Sequence, residues 1–393
     1  MKILLISQQY YPLFGGIERF AHRLAIEFKK KEIDLKVITA RNNPSEKKEE
    51  AIDGIETIRV GFFTFLWRIK GLRKFANYFF FLDLYFFLKK NKQHYDLIFV
   101  MTIQRPLAVS LLVKKFKDIP VIGLEGSFGE TLDYKVLRNF GFSKFFQLII
   151  KKNCDKVVCF GNAIKQQYLH LGFSESQLEI IPNGVSIIDN YFQYNYKSNN
   201  ILCVGRFVPE KGQVFLVKAF SKIKQNYKLI LHGQGIDYQK ILQNIKFLNI
   251  RNDVLISKPT NHPISDIFQK ASFCVIPSFI EGMSCVQIEA MSLGVPMIVT
   301  NVGCNAEVLQ FNSVPDNKLF LVNDFGVLIN PGDELALCTA IEYYIENPEI
   351  RIQMSKNLKK RYIEKYSMGK IAIQYKKLFS SLIKARISSK CVE

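Results

Sequence analysis

The sequence predicts an α/β protein of two doubly wound domains, and three observations predict it. Short apolar runs that fit buried strands alternate with helical patterns along almost the whole chain, which is how a parallel sheet crossed by helices reads. The 393 residues, 48% of them hydrophobic, supply two buried cores of ordinary size. A polar run at 186–199, SIIDNYFQYNYKSN, has the composition of a linker. The expected division is one domain over 1–185, a linker over 186–199 and a second domain over 200–369.

In order, KILLIS at 2–7 reads as a buried parallel strand, followed by a loop with Pro12, Gly15 and Gly16. The next helix carries Ile17, Phe20, Ala21, Leu24, Ala25 and Phe28 at helical spacing, with Glu18 in its first turn where the dipole favours an acid. A glycine turn feeding a helix can meet an anion, or be a plain tight turn. G-x-G-x-x-G is absent, so a dinucleotide fingerprint is not supported. DLKVITA, IETIRV, DLIFVM and PVIGLEG continue as strands, the last ending at Glu125, with PLAVSLLVKKF as a helix between. The stretch 61–92 breaks the rhythm, mixing aromatic clusters with Arg68, Lys70, Arg73, Lys74, Lys89, Lys90 and Lys92. It suits either an amphipathic helix at an anionic membrane surface or a packed helix with a solvated basic side. KVVCF, NAIKQQYLHLG and EIIPNGV close the first domain.

The second opens with NILCVGRFVPEKGQVFLVKAF, whose strand-to-helix loop holds Arg206 and Lys211. Two cations in one such loop can face a diphosphate, Arg206 in a forked arrangement. KLILHGQG, DVLIS, PISDIFQKA and FCVIPS follow, HGQG reading as a turn. The chain centres on 277–301, PSFIEGMSCVQIEAMSLGVPMIVTN. Residues 284–293 fit a helix stopped by Gly294 and Pro296, which puts Gly282 at its entrance. Free amides there, at Gly282, Met283, Ser284 and Cys285, together with the helix dipole, suit a phosphate. Glu281 and Glu289 are eight residues apart, roughly 12 Å along a helix, about the span from ribose to sugar in an extended sugar nucleotide. Either glutamate alone also fits a solvated surface position.

Composition narrows the function. Lys plus Arg exceeds Asp plus Glu by 54 − 35 = 19, with a pI near 9.4, so an anionic partner is expected: nucleic acid, phospholipid or phosphorylated substrate. The eight cysteines form no C-x-x-C pair and several lie in apolar strands, as small buried hydrophobes of a reducing compartment do. The amino terminus lacks the pattern of a signal peptide and no apolar run reaches spanning length, so a cytoplasmic protein is expected. The five histidines are scattered without metal-ligand spacing, and no Asp-x-Asp pair exists. No metal or other cofactor is expected. Charge on a departing diphosphate would then be met by Arg206, Lys211 and the amides near Gly282.

PSFIEGMSCVQIEAMSLGVP, together with the GR…KG loop upstream, resembles the donor-binding segment of the retaining glycosyltransferases of family 4. That resemblance implies the GT-B fold: two Rossmann-like domains facing a central cleft, with about 370–393 crossing back to the first. It implies that Glu281 contacts the transferred sugar, Glu289 the ribose, and Arg206 and Lys211 the donor diphosphate, with Gly16 near the phosphates or acceptor. Glu125 stands where the family commonly has a histidine, and Ser186 where an Asp is common. A carboxylate at 125 could orient the acceptor hydroxyl or stabilise positive charge on the sugar, or be a polar strand end. The activity implied is transfer of a hexose or N-acetylhexosamine from a nucleotide-diphosphate sugar, UDP favoured over GDP, with retention and without metal. The acceptor implied is a glycan or lipid-linked hydroxyl in bacterial surface polysaccharide synthesis (capsule, O-antigen or lipopolysaccharide), and basic residues at 61–92 allow peripheral association with the inner face of the cell membrane. The rivals are another GT-B activity such as a sugar-nucleotide epimerase or phosphorylase-like transfer, an inactive relative, and a basic nucleic-acid-binding protein. The last predicts steeply salt-dependent oligonucleotide binding, but no RNA-binding motif is present and nucleic acid is not an expected partner.

Overall fold

Apolar strands covered by helices on both faces form the centre of each of two units. The computed structural model describes all residues except 13–14, 42–44, 62–72, 92–93, 115–118, 140–141, 187–191, 224–225, 260–262, 313–317 and 391–393. One unit comprises Met1–Asn183 with Met368–Glu393, the other Gly184–Ser367.

In the first unit the strands are β1 (Lys2–Ile6), β2 (Asp34–Ala40), β3 (Glu49–Ile52), β4 (Ile55–Val60), β5 (Leu97–Val100), β6 (Val121–Glu125), β7 (Lys156–Cys159) and β8 (Leu178–Ile180). They lie in the order β3-β4-β2-β1-β5-β6-β7-β8, all parallel except the β3–β4 hairpin. The helices are α1 (Gly16–Lys30), α2 (Arg73–Asn91), α3 (Arg105–Lys114), α4 (Asp133–Val136), α5 (Ser143–Asn153) and α6 (Asn162–His170). α1 buries the expected stripe, Phe20, Ala21, Leu24, Ala25 and Phe28, and ends on Lys29 and Lys30 where the dipole favours cations. Its His22 is a core residue, bonded to the Tyr10 hydroxyl at 3.0 Å and to Asp53 at 2.8 Å.

The second unit contains β9 (Asn200–Val204), α7 (Gln213–Phe220), β10 (Lys228–His232), α8 (Tyr238–Phe247), β11 (Val254–Ser257), α9 (Ser265–Phe268) and β12 (Phe273–Ile276). It continues through α10 (Cys285–Leu293), β13 (Met297–Thr300), α11 (Asn305–Val308), β14 (Phe320–Asn323), β15 (Gly326–Ile329), α12 (Glu334–Glu346) and α13 (Pro348–Arg361). The sheet order is β11-β10-β9-β12-β13-β15-β14, with only β14 antiparallel.

The last helix, α14 (Met368–Lys390), belongs to the first unit. Its Tyr375 and Phe379 are fully buried, with ring centroids 5.2 Å from Phe99 and 5.6 Å from Phe28 respectively. Residues 186–199, expected as a linker, fall within the Gly184–Ser367 unit. The Val185 amide donates to Tyr366 O at 3.2 Å, the Tyr362 hydroxyl donates to Val185 O at 2.8 Å, and Phe192 is buried. Val185, just before that run, and Phe192 within it are apolar side chains withdrawn from water.

Of 61–92, residues 62–72 and 92 and the side chains of 73–78 lie outside the described residues, so Arg68, Lys70, Arg73, Lys74 and Lys92 do too. The remainder is α2, which buries Phe80, Phe81, Leu84 and Leu88. Among the described residues no helix is long and apolar enough to cross a membrane. None of the seven described cysteines is in a disulfide, and five of them are buried.

Candidate active site

β9 is the strand at which the second sheet reverses: β10 and β11 lie to one side of it, β12 and β13 to the other. At such a switch point the loops leaving the carboxyl ends diverge and leave a crevice for a ligand. A pocket sits there. It is lined by Val204 and Gly205 at the end of β9, by Ile276, Pro277 and Ser278 at the end of β12, and by Lys211, Glu281 and Ser284.

Backbone contacts that only glycines permit bring these loops together. A Cβ on Gly212, whose φ is +69°, would stand 2.1 Å from Pro277 O. The next loop is tied on by Phe279, whose amide donates to Glu210 O at 2.8 Å. From the other side, a Cβ on Gly303 would stand 1.9 Å from Glu281 O, and the Cys304 amide donates to Gly282 O at 2.8 Å. The HGQG turn packs against the Arg206 loop in the same manner. Three loops thus hold Glu281 and Gly282 in place.

Lys211 Nζ donates to Glu281 Oε2, and the Ser278 hydroxyl donates to the same oxygen at 3.2 Å. The other oxygen, Oε1, carries no hydrogen bond among the described residues. An ammonium has three donors, so Lys211 can hold Glu281 and still present N–H groups to an anion. The Lys211 side chain is 23% exposed and that of Glu281 11%, which leaves both within reach of a ligand while weakening the solvent screening between them.

The remaining expected residues are spread around this pair. Ser284 caps α10 without a side-chain bond, and Met283 and Ser284 are buried while Gly282 and Cys285 are half-buried. Gly294 ends the helix in the left-handed conformation, as its place in the sequence implies. Glu289 is 5% exposed and does not line the pocket. Arg206 shares the Lys211 loop but has an exposed side chain. Gly16 is exposed at the first position of α1, in the first unit.

Glu125 corrects an expectation. Its side chain is fully buried rather than open to a substrate. Oε1 accepts from the Ser127 amide at 2.9 Å, and Oε2 from the Asp133 amide at 2.9 Å and the Tyr168 hydroxyl at 2.6 Å. Asp133 in turn accepts from Thr102 Oγ1, the Ile103 amide and Gln104 Nε2. Burial, then the neighbouring Asp133 charge, pushes the Glu125 carboxyl well above its ordinary range, and burial raises Asp133 as well. A carboxyl group fits here because two backbone amides and the Tyr168 hydroxyl of α6 converge on it.

Sequence reasoning passed over Ser278 and the polar support behind it. Thr300 Oγ1 donates to Ser278 O at 2.6 Å, Asn305 Nδ2 to Thr300 O at 3.2 Å, and Gln287 Nε2 to Asn305 O at 3.0 Å, all buried. Polar residues at successive strand ends, Ser278 after β12 and Thr300 closing β13, were the available signal. Among the described residues no cluster of His, Cys, Asp or Glu could hold a metal ion.

Two doubly wound α/β units in one chain, with the last helix returned to the first, are the GT-B architecture. The chain belongs to the family 4 glycosyltransferases: the Glycosyltransferase Family 4 model matches residues 14–187 and the Glycosyl transferases group 1 model matches 188–361. An uncharacterized glycosyltransferase of Methanocaldococcus jannaschii is 28% identical over 389 residues, 97% of this chain and 99% of that protein. The Escherichia coli UDP-Gal:alpha-D-GlcNAc-diphosphoundecaprenol alpha-1,3-galactosyltransferase is 23% identical over 418 aligned positions, 97% and 98% of the two chains. Among solved structures, sucrose-phosphate synthase from Thermosynechococcus elongatus superposes with a TM-score of 0.78 at 22% identity, covering 98% and 99% of the chains. Anabaena HepE in complex with UDP-glucose does so with 0.72 at 19%, covering 97% and 100%.

Proposed function

We propose that the protein transfers a hexose or N-acetylhexosamine from a nucleotide-diphosphate sugar, with UDP favoured, to a hydroxyl of a glycan or lipid-linked acceptor in surface polysaccharide synthesis. The observation that carries this reading is the Lys211–Glu281 pair at the switch point of the second sheet, beside the amides that open α10. Lys211 and those amides neutralise the diphosphate, Arg206 swings onto it from the same loop, and Glu281 Oε1 accepts from a sugar hydroxyl. Glu289 reaches the ribose hydroxyls once the donor is seated. The leaving group is stabilised by protein charge alone, so no divalent cation is required.

The configuration at the anomeric carbon is retained. The acceptor oxygen bonds to that carbon on the face the diphosphate leaves, the bond to the phosphate oxygen breaks, and that phosphate oxygen takes the acceptor proton. Among the two relatives named, one is called after a UDP-galactose donor and a diphosphoundecaprenol acceptor, and the Anabaena neighbour binds UDP-glucose. Both names are in keeping with a UDP-sugar donor, and the first with an acceptor carried on lipid.

The test is a panel of nucleotide sugars assayed for binding and turnover, with Glu281→Ala and Lys211→Ala as controls. Loss of both in the variants is expected; undiminished binding and turnover overturns the site. Nucleotide release that depends on added acceptor is expected of transfer, and acceptor-independent chemistry would favour an epimerase.

A further inference from the structure

A second depression of the Gly184–Ser367 unit, about 770 Å³ in volume, opens beside the starts of β9, β10 and β12, at the edge of the sheet away from the Lys211–Glu281 pocket. β9 runs from Asn200 in the one to Val204 in the other, so roughly 13 Å of strand separates them. Much of its wall is the polar run at 195–199 that reads as a linker in the sequence.

The backbone beneath this depression is fixed while the side chains above it are left unbonded. The Ser198 hydroxyl and Asn200 Nδ2 both donate to Lys270 O, at 2.6 and 2.8 Å. The Lys228 amide donates to Asn199 O at 2.8 Å and the Ser272 amide to Asn200 O at 2.9 Å. The side-chain amides of Asn195, Asn199, Asn226 and Gln269 make no hydrogen bond among the described residues. Each offers donors and an acceptor side by side. Lys197 and Lys228 likewise have no ion pair among the described residues, and no acid lines the depression.

An aromatic ring and a buried charge stand next to these groups. Tyr196 is 40% exposed, with Lys197 Nζ 5.7 Å from its ring centroid. Arg351 of α13 is 1% exposed and lies 3.5 Å from Tyr196 O and Ser272 O. Its Nε is buried without a partner, and no acid pairs with it among the described residues. A guanidinium stays charged inside a protein, so its positive field adds to that of the two lysines.

We propose that this depression binds an acidic oligosaccharide, a chain of sugars bearing carboxylate or phosphate groups, at a site separate from the donor pocket. Neighbouring hydroxyls of a sugar ring pair with an amide as donor and acceptor, the CH face of a ring lies on Tyr196, and the acidic substituent meets Lys197 and Lys228. A free phosphate would use the cations and leave the amides idle. A nucleic acid takes a run of aromatic platforms for successive bases, whereas Tyr196 is the one exposed ring beside this lining. An enzyme with such a site keeps hold of a glycan while its donor pocket is refilled. The choice of a sugar chain as ligand rests on the transferase reading.

The experiment is calorimetric titration of the full chain with tetragalacturonate, against maltotetraose, inorganic phosphate and a single-stranded oligonucleotide of equal charge. Tetragalacturonate is expected to bind, maltotetraose about tenfold or more weakly, and added UDP to leave the affinity unchanged. Asn199→Ala/Asn226→Ala/Gln269→Ala lowers it by about tenfold, and Lys197→Glu/Lys228→Glu by about tenfold or more, neither with a change in UDP binding. Acetylation of lysines, read by mass spectrometry, gives a measurement independent of affinity: tetragalacturonate should protect Lys228, and UDP should protect Lys211. Absence of tetragalacturonate binding overturns the proposal, as does an unprotected Lys228, competition by UDP, phosphate or oligonucleotide bound as tightly as tetragalacturonate, or substituted chains that bind like the wild type. UDP bound without tetragalacturonate sinks this site alone, and tetragalacturonate bound without UDP sinks the donor reading alone.

Discussion

Glu125 and Glu281 occupy comparable places in the two units, at or just beyond the carboxyl end of a parallel strand, and serve opposite ends. Glu125 is closed off from solvent and answers only to amides and a tyrosine hydroxyl of its own unit. Glu281 is paired with a cation in a pocket and keeps an oxygen unoccupied. A strand end brings a side chain to the edge of the sheet; what converges on it there decides whether it organises a loop or meets a ligand.

Four substitutions or titrations sharpen or break that contrast. The largest effect belongs to Lys211→Ala, which removes the diphosphate charge and leaves Glu281 held by Ser278 alone. Turnover of a nucleotide sugar should fall on the order of a hundredfold or more, read in a steady-state assay. Glu125→Ala should act on stability instead. It strands two amides and a hydroxyl in the interior, a cost of about 3 kcal/mol, seen as a lower denaturation midpoint with donor binding preserved. If it abolished turnover in a fully folded protein, the contrast would fail.

Arg206→Ala comes next. Its exposed guanidinium costs the fold little, so donor binding should weaken by about tenfold, roughly 1.4 kcal/mol, at an unchanged melting temperature. The smallest effect is a pH slope. Glu125 and Asp133 have raised carboxyl pKa values in the folded unit, so between the ordinary carboxyl range and those raised values the native state binds more protons than the unfolded chain. Stability therefore declines as pH rises through that window, by at most about 1.4 kcal/mol per pH unit for each proton. Glu125→Gln should flatten the slope in thermal unfolding.

The sequence made some of this legible through local chemistry. Gly294 before Val-Pro announced a helix end, the α1 stripe announced its buried face, and Lys211 and Glu281, each singled out in a strand-to-helix turn, are brought together in the structure. The alternatives left open for Glu125 could not be narrowed from the sequence, because its partners, Tyr168 and Asp133, come from α6 and α4 and a carboxylate's surroundings are not written beside it. The 186–199 run reads as a linker on its polar average, but Phe192 is buried and Tyr194 and Ser198 donate to Ser272 O and Lys270 O, partners far away in the sequence. Ser278 escaped notice because a serine at a strand end is common until its neighbour is an ion pair.

Because α14 follows the whole Gly184–Ser367 unit in sequence, the first unit is completed only after the second has been made. During synthesis the ribosome releases every strand of its sheet before Tyr375 and Phe379 exist to cover Phe28 and Phe99, while the uninterrupted Gly184–Ser367 unit can already mature. The nascent protein would spend that interval with one aromatic core unroofed, a natural point for chaperones to engage it.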